Sequence, residues 1–161
     1  MSSETSTAAV TPTESVASWK GGVIAGLAGS LVMGALIAVM NPPTIEVAMA
    51  SLYTLAPPPN GAAGFTVHMA HGAVFGVVFA AILAAPAVRE NVSGLLPTVG
   101  LGVAYGVVIW VVAAALLMPL WLRAVGSPAQ PPFPNFAVPS LLWHVVFGAV
   151  LGAVFPFVDE L

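Results

Sequence analysis

The hydrophobic positions along this chain form four long apolar stretches, separated by short segments that are polar or rich in proline. The stretches lie near residues 21–40, 66–85, 95–118 and 138–157. A helix rises about 1.5 Å per residue, so about 20 residues cross the ~30 Å hydrocarbon core of a bilayer. Backbone groups in lipid must be satisfied within the segment, which makes helix the expected form. The pattern therefore predicts an all-α, polytopic membrane protein with four transmembrane helices.

The N-terminal residues 1–18 do not share this pattern. They are rich in Ser, Thr and Ala, and the absence of a periodic apolar face predicts a disordered tail. Residues 19–161 then form the transmembrane domain. A cleaved signal peptide is the alternative for the stretch after Lys20, but the apolar region of such a peptide is usually about 7–15 residues long. We therefore interpret the first stretch as a retained helix.

The second and fourth stretches are related in sequence at an offset of 76 residues. HMAHGAVFGVVF at 68–79 and HVVFGAVLGAVF at 144–155 are identical at seven of twelve positions. The first and third stretches match at the same offset. Their shared positions are Val23/Val99, Gly26/Gly102, Ala28/Ala104, Val32/Val108, Ala38/Ala114 and Pro43/Pro119. Matches in the same order at one offset indicate duplication of a two-helix unit.

The loops support the duplication, and the duplication has a consequence for topology. Pro-Pro-Pro-Asn at 57–60 corresponds to Pro-Phe-Pro-Asn at 132–135, shifted by one residue. Repeat one covers about residues 20–92 and repeat two about residues 95–161. A unit with two spans returns to its starting side, so we predict two parallel two-helix repeats related by a pseudo-twofold axis along the membrane normal.

Composition narrows the classes of function. The chain is 59% hydrophobic and 6% charged, against about 25% charged residues in soluble domains. All Lys, Arg, Asp and Glu lie outside the four stretches, so the buried charge typical of pumps and transporters is missing. The absence of cysteine excludes disulfides, thiolate nucleophiles, iron–sulfur clusters and cysteine zinc sites. Three basic residues in total argue against a nucleic-acid partner.

The few basic residues suggest an orientation. Lys20 precedes the first stretch and Arg89 lies in the short connection between the second and third, so both are on one side of the membrane. Arg123 is on the other side. Basic residues are in excess on the cytoplasmic side, which predicts that both termini face the cytoplasm of the cell membrane and that the loops carrying Asn60 and Asn135 face outward.

The first outer loop, 41–65, contains a candidate interfacial helix. Thr44 is placed to cap such a helix. Its apolar side would be formed by Ile45, Ala48, Met49, Leu52 and Leu55. That helix would lie on the outer surface of the membrane. An irregular loop is the alternative interpretation.

Small residues recur at four-residue spacing in the stretches. They are Gly22, Gly26, Ser30 and Gly34 in the first, Gly72, Gly76, Ala80 and Ala84 in the second, Thr98, Gly102 and Gly106 in the third, and Gly148 and Gly152 in the fourth. Residues four apart share a helical face, and small ones allow helices in lipid to pack closely. A glycine-lined pathway is the alternative, but a pore would also require polar lining. We therefore interpret the stripes as helix-packing surfaces.

Two histidines occupy equivalent positions in the repeats. His68 and His144 each precede the first glycine of their stripe by one turn. If the two stripes pack across the pseudo-twofold axis, the imidazoles meet near the outer end of the bundle, and His71 lies one turn from His68. Two facing histidines suit bis-histidine haem and three suit a metal ion. The structural alternative is hydrogen bonding to another helix or to the loops at Asn60 and Asn135; proton handling or contact with a quinone is a further reading.

Signals of catalysis are weak. No carboxylate pair lies within a stretch, which excludes intramembrane aspartyl chemistry. Ser30 is near the middle of the first stretch, and we expect no histidine at its depth because the histidines lie toward the outside. The sequence thus predicts a protein that is not an enzyme.

The segments HxxxGAVxGxVF at 68–79 and 144–155, together with the two proline–asparagine loops, carry a resemblance. Over about residues 20–160 the chain resembles uncharacterised small four-helix integral membrane proteins of prokaryotes, a family classed as a domain of unknown function. The resemblance implies a four-helix membrane fold. It brings no known activity with it.

Three hypotheses of function follow. The first is a non-enzymatic membrane component that contacts lipid and acts as a homo-oligomer or as an accessory subunit of a larger, for instance respiratory, membrane complex. The second is a haem- or metal-binding membrane protein that uses His68, His144 and His71. The third is a small transporter or channel, which a parallel repeat favours and fully apolar spans disfavour.

Overall fold

The structure is a computed structural model that describes residues 18–161. Four of its helices are long and apolar enough to cross a membrane. They are α1 (Trp19–Met40), α2 (Gly61–Ala84), α3 (Leu95–Ala124) and α4 (Val138–Phe157). Within the described residues there is no β-strand, so the prediction of an all-α protein with four membrane spans is confirmed. The predicted tail lies outside the described residues except for Ser18, whose hydroxyl accepts the first-turn N–H of Gly21.

The second span begins earlier than its apolar stretch. The side chain of Asn60 accepts a hydrogen bond from the N–H of Ala63 at 3.0 Å, which satisfies one of the free donors of the first turn. The helix therefore starts at Gly61 rather than near residue 66. His68 consequently lies two turns inside α2 rather than at its start.

The third span runs past Pro119, although the apolar stretch predicts that it ends just before this residue. Pro119 has no N–H and its ring crowds the preceding turn. The backbone accommodates it by π-type hydrogen bonding over Trp110–Leu117. The carbonyl of Ala115, four residues before the proline, instead accepts the N–H of Asn135 at 2.9 Å. This bond lets α3 continue to Ala124 and ties the second long loop to the helix.

The first repeat breaks at the equivalent point because it has two consecutive prolines there. Pro43 corresponds to Pro119, but Pro42 corresponds to Met118. A residue before proline is disfavoured in the helical region, and Asn41 accordingly has ψ 70°. The chain turns and forms a short helix, Thr44–Met49. The two repeats thus differ in shape at their long-loop ends, where repeat one has one extra proline.

The short helix predicted in this loop is present, but it lacks the predicted cap. No side chain caps it, so Thr44 is not the cap. Ile45, Ala48 and Met49 are buried, whereas Leu55 lies beyond the helix and is exposed. The backbone lies so close to α2 that a methyl group on Gly64 would overlap the carbonyl of Ile45. The short helix therefore packs on α2, because Gly64 has no side chain and allows the two backbones to approach closely.

The long helices pack in the same way in both repeats. A methyl group on Gly26 would overlap the carbonyl of Gly72, and one on Gly102 would overlap the carbonyl of Gly148. These pairs are related by the offset of 76 residues found in the sequence. The small-residue stripes of α2 and α4 therefore face α1 and α3 respectively, so the condition under which the two imidazoles would meet across the pseudo-twofold axis is not fulfilled. Close backbone approach requires small residues on both helices, and α1 and α3 supply the matching ones.

All nine stripe glycines are buried. They are Gly22, Gly26, Gly34, Gly72, Gly76, Gly102, Gly106, Gly148 and Gly152. Most lie against backbone atoms of the neighbouring helix. Two of them accommodate side chains instead: Gly72 lies against Ser30, and Gly34 against the rings of Phe65 and His68.

The hydrophobic core runs along the length of the bundle, and in the half that holds the chain termini it is centred on Phe79. Phe79 is fully buried; its ring meets that of Phe155 edge to face, with centroids 5.8 Å apart, and lies 5.5 Å from that of Tyr105. α1 packs closely on α2 and α4, whereas the backbones of α2 and α3 stay apart. The hydroxyl of Tyr105 bridges them by donating to the carbonyl of Phe75 at 2.9 Å. The gap between the backbones of α2 and α3 is therefore spanned by side chains in this half of the bundle.

Candidate functional site

A cavity of about 720 Å³ occupies the half of the bundle next to the long loops. We call it the histidine cavity. Its wall is formed by Ser30, Met33, Ile37, Thr44, Met49, Leu52, Tyr53, His68, His71, Gly72, Phe75, Ile109, Ala113, Ala114, Leu117, Met118, Leu120, Trp121, Ala124, Ser140, Trp143, His144 and Phe147. All four long helices and the short helix contribute. Because the chain breaks after α1, the short helix lies over the cavity. Because α3 continues to Ala124, its last turns extend the cavity wall.

The wall is mostly aliphatic and aromatic. None of the lining residues in the described part of the chain is Asp, Glu, Lys or Arg. The polar groups that remain are three imidazoles, the hydroxyls of a few Ser, Thr and Tyr side chains, and two indoles. A charged ligand would be unpaired in such a cavity, and an unpaired charge in an apolar environment is strongly disfavoured.

His68 lies on α2 at the level of Ser30. Its Nε2 is 2.9 Å from the carbonyl oxygen of Ser30 on α1. A carbonyl only accepts, so Nε2 carries the hydrogen and the neutral ring has a bare Nδ1. The expectation that no histidine reaches the depth of Ser30 is wrong, because α2 begins at Gly61 and carries His68 deeper. The bond involves the backbone, however, so the imidazole does not activate the Ser30 hydroxyl, which has no hydrogen-bond partner in the described structure.

His144 lies on α4 and lines the same cavity. Its Nδ1 is 2.7 Å from the carbonyl oxygen of Ser140, one turn earlier in the same helix. By the same reasoning Nδ1 carries the hydrogen and Nε2 is bare. Within residues 18–161 no protein group bonds His68 Nδ1 or His144 Nε2, and neither atom is sealed from solvent. Two backbone carbonyls thus fix two imidazoles as hydrogen-bond acceptors.

His71 belongs to the mouth of the cavity. Its Nε2 lies 3.1 Å from the hydroxyl of Tyr53, which follows the short helix. On the α3 side, Trp121 donates from Nε1 to the carbonyl of Leu52 at 2.9 Å. Trp121 is 55% exposed, Tyr53 57% and Leu117 58%. Residues that both line the cavity and reach the surface mark its opening, which lies between α2 and α3.

The structure brings all three predicted histidines to one cavity but gives each its own protein hydrogen bond. Among the described residues, no group of three or more His, Cys, Asp or Glu side chains is placed to hold a metal ion. The loop asparagines do not bond the histidines: Asn60 caps α2 and the backbone of Asn135 bonds α3.

Several wall residues were not singled out from the sequence. Trp143 precedes His144 and donates from Nε1 toward the sulfur of Met40 at 3.2 Å. Tyr53 and Trp121 also line the cavity, and the pattern of apolar stretches gives no reason to select them. The partner of His68 is a backbone carbonyl, for which a sequence carries no signal.

Comparison with protein-family models, with curated proteins and with solved structures finds no match for this chain.

Proposed function

We propose that this chain is a non-enzymatic integral membrane protein that holds a neutral, largely apolar small molecule in the histidine cavity. It would act as a homo-oligomer or as an accessory subunit of a larger membrane complex. The observation that carries the proposal is the cavity itself, about 720 Å³ in the half of the bundle next to the long loops.

The size and lining of the cavity support binding of a small molecule. Ligand sites in proteins commonly measure about 300–1,000 Å³ and combine apolar walls with a few polar groups. The histidine cavity falls within this range and has that lining. It is confined to one half of the bundle, which favours holding a molecule over conducting one.

The position of the mouth supports a ligand that comes from the bilayer. Leu117, Leu120 and Trp121 belong to the cavity wall and are also exposed on α3. In a membrane-spanning helix such a surface faces acyl chains. A molecule dissolved in the bilayer would reach the cavity between α2 and α3 without crossing water.

A matched pair of variants on α3 tests the proposal. Ala113→Trp places an indole in the cavity wall, whereas Ala104→Trp adds the same side chain at an exposed position on the same helix. We expect protein extracted gently from its own membrane to carry a neutral compound at about one per chain, seen by mass spectrometry of an organic extract. The compound should remain with Ala104→Trp and be lost with Ala113→Trp. Equal amounts in both variants would refute a role for the cavity.

The assembly state has a separate test. α3 is the long helix with the least burial, 22% of its apolar window against 39–44% for the others. A second copy or another subunit would cover this face. Light scattering in gentle detergents should give a protein mass above that of the 16.3 kDa chain, and a strict monomer in every detergent would count against assembly.

Haem or metal binding is the second candidate, and the orientation of His144 favours it. Ligating histidines usually donate their other ring nitrogen to a carbonyl or carboxylate, as His144 Nδ1 does toward Ser140. His68 offers only Nδ1, because its Nε2 is bonded to Ser30. Purified protein should then show a Soret band or stoichiometric metal that His144→Ala removes. Colourless, metal-free protein from cells supplied with both would end this candidate.

A further inference from the structure

We propose that the ligand of the histidine cavity is a neutral hydroxylated aromatic compound of the hydroquinone class, and that the cavity binds it in preference to the oxidised quinone. The inference rests on the proposed function and adds the chemical class of the ligand. It follows from the hydrogen-bonding roles that the backbone imposes on His68 and His144.

The two histidines make the cavity a hydrogen-bond acceptor at two points. The carbonyls of Ser30 and Ser140 hold the hydrogen on the ring nitrogen that faces them. His68 Nδ1 and His144 Nε2 are therefore bare, and both residues line the cavity. If the hydrogen moved to the other nitrogen of either ring, a nitrogen lone pair would face a carbonyl lone pair and the hydrogen bond to that carbonyl would be lost. A buried acceptor that is left unpaired by its ligand is costly, so the ligand should bring O–H or N–H donors.

The absence of charge in the wall limits the ligand further. Phosphate, carboxylate or ammonium groups would have no counter-ion among the described lining residues. Haem propionates and phospholipid headgroups are therefore poorly suited to the interior. Hydroxyl groups are neutral donors, and a molecule that reaches the cavity from the bilayer must combine them with an apolar body.

The aromatic side chains of the wall favour a ring. Phe75, Phe147 and Trp143 line the interior, and Tyr53 and Trp121 lie at the mouth. Aromatic rings pack well against each other in offset or edge-to-face geometry. A hydroquinone has two hydroxyl groups, one for each of the two acceptors on α2 and α4. A quinone has the same size and shape but offers only carbonyl acceptors, which would face the bare nitrogens of both histidines.

The test compares three ligands that share one substituted six-membered ring, of which only the hydroquinone can donate hydrogen bonds. They are a decyl-substituted benzohydroquinone kept reduced under anaerobic conditions, the corresponding benzoquinone, and the dimethyl ether of the hydroquinone. Binding is measured by isothermal titration calorimetry on the full chain in lipid nanodiscs, with empty nanodiscs subtracted. We expect the hydroquinone to bind about two- to tenfold more tightly for each hydrogen bond that the other two cannot donate. This comparison needs no mutation.

Variants locate the effect. His144→Leu and His68→Leu should each weaken hydroquinone binding about two- to tenfold and leave the dimethyl ether unchanged. Thr66→Val is the matched control, since Thr66 is an exposed α2 residue bonded to Ala62 and is not part of the wall. Far-UV circular dichroism verifies the fold of each variant, and the ether provides a second check, because its binding depends on an intact cavity.

The outcomes separate this inference from the proposed function. Equal binding of all three ligands would overturn the hydroquinone assignment while the cavity still binds apolar molecules. Tighter binding of the quinone, or no binding of any of the three to folded protein, would also overturn it. The proposed function fails independently, if the extract from the native membrane contains no compound that depends on Ala113.

Discussion

The packing of α3 on α4 can be tested with two glycines that lie two residues apart on α3. At Gly102 an added methyl group would overlap the carbonyl of Gly148 and lie 3.0 Å from the Cα of Gly152. At Gly100 an added methyl group meets nothing within 4 Å. Gly102→Ala should therefore force two backbones apart, whereas Gly100→Ala should be tolerated.

The expected magnitude follows from comparing the two variants. Replacing glycine by alanine within a helix favours folding by about 0.5–1 kcal/mol in water, and this contribution is shared by both variants. Overpacking of a close contact typically costs about 1–3 kcal/mol. The obstructing atoms are backbone, so they cannot move aside like a flexible side chain. We expect Gly102→Ala to be less stable than Gly100→Ala by about 1–3 kcal/mol.

Reversible unfolding in mixed micelles of mild detergent and dodecyl sulfate, followed by far-UV circular dichroism, measures this difference. The duplication provides a replicate, since Gly26→Ala makes the equivalent overlap in repeat one. Equal stability of Gly100→Ala and Gly102→Ala would show that α3 and α4 do not approach as closely as described. A cost at Gly102 without one at Gly26 would refute the equivalence of the repeats.

Two further predictions concern topology and the gap between α2 and α3. The chain contains no cysteine, so a single introduced cysteine is the only thiol that a reagent can label. A membrane-impermeant thiol reagent on intact cells should label Asn60→Cys and Asn135→Cys but not Glu90→Cys. Labelling of Asn60→Cys and Asn135→Cys from opposite sides of the membrane would contradict the parallel repeat. Tyr105→Phe should lower the free energy of unfolding by about 0.5–1.5 kcal/mol, because it removes the bond to Phe75 across the gap; an unchanged unfolding curve would mean that this bond contributes nothing to stability.

The number of spans, their helical form and their duplication are readable from the chain. Each depends on local properties: the length of an apolar stretch and the repetition of residues at a fixed offset. The first and last residues of a span are harder to predict from the sequence where a specific hydrogen bond determines them. Asn60 extends α2 at its start, and the bond from Asn135 to Ala115 lets α3 continue through Pro119. Both bonds involve groups whose position depends on how the loops fold back.

The site was only partly predictable. The equivalence of His68 and His144 is visible in the repeat, but their surroundings depend on which helical faces meet. The glycine stripes of α2 and α4 could have faced each other; they face α1 and α3 because those helices supply the matching small residues. That choice leaves α2 and α3 apart and opens the histidine cavity.

The roles of the two imidazoles come from the tertiary structure alone. A stretch of sequence specifies that a histidine is present, but its hydrogen-bond partner specifies which ring nitrogen is bare. For His68 that partner is a carbonyl 38 residues away on α1. The length of each apolar segment is a local property, and it determines that the chain enters lipid. What the folded chain can bind depends on the distance between groups on different segments. That distance is set by the contact between the small-residue faces of the helices.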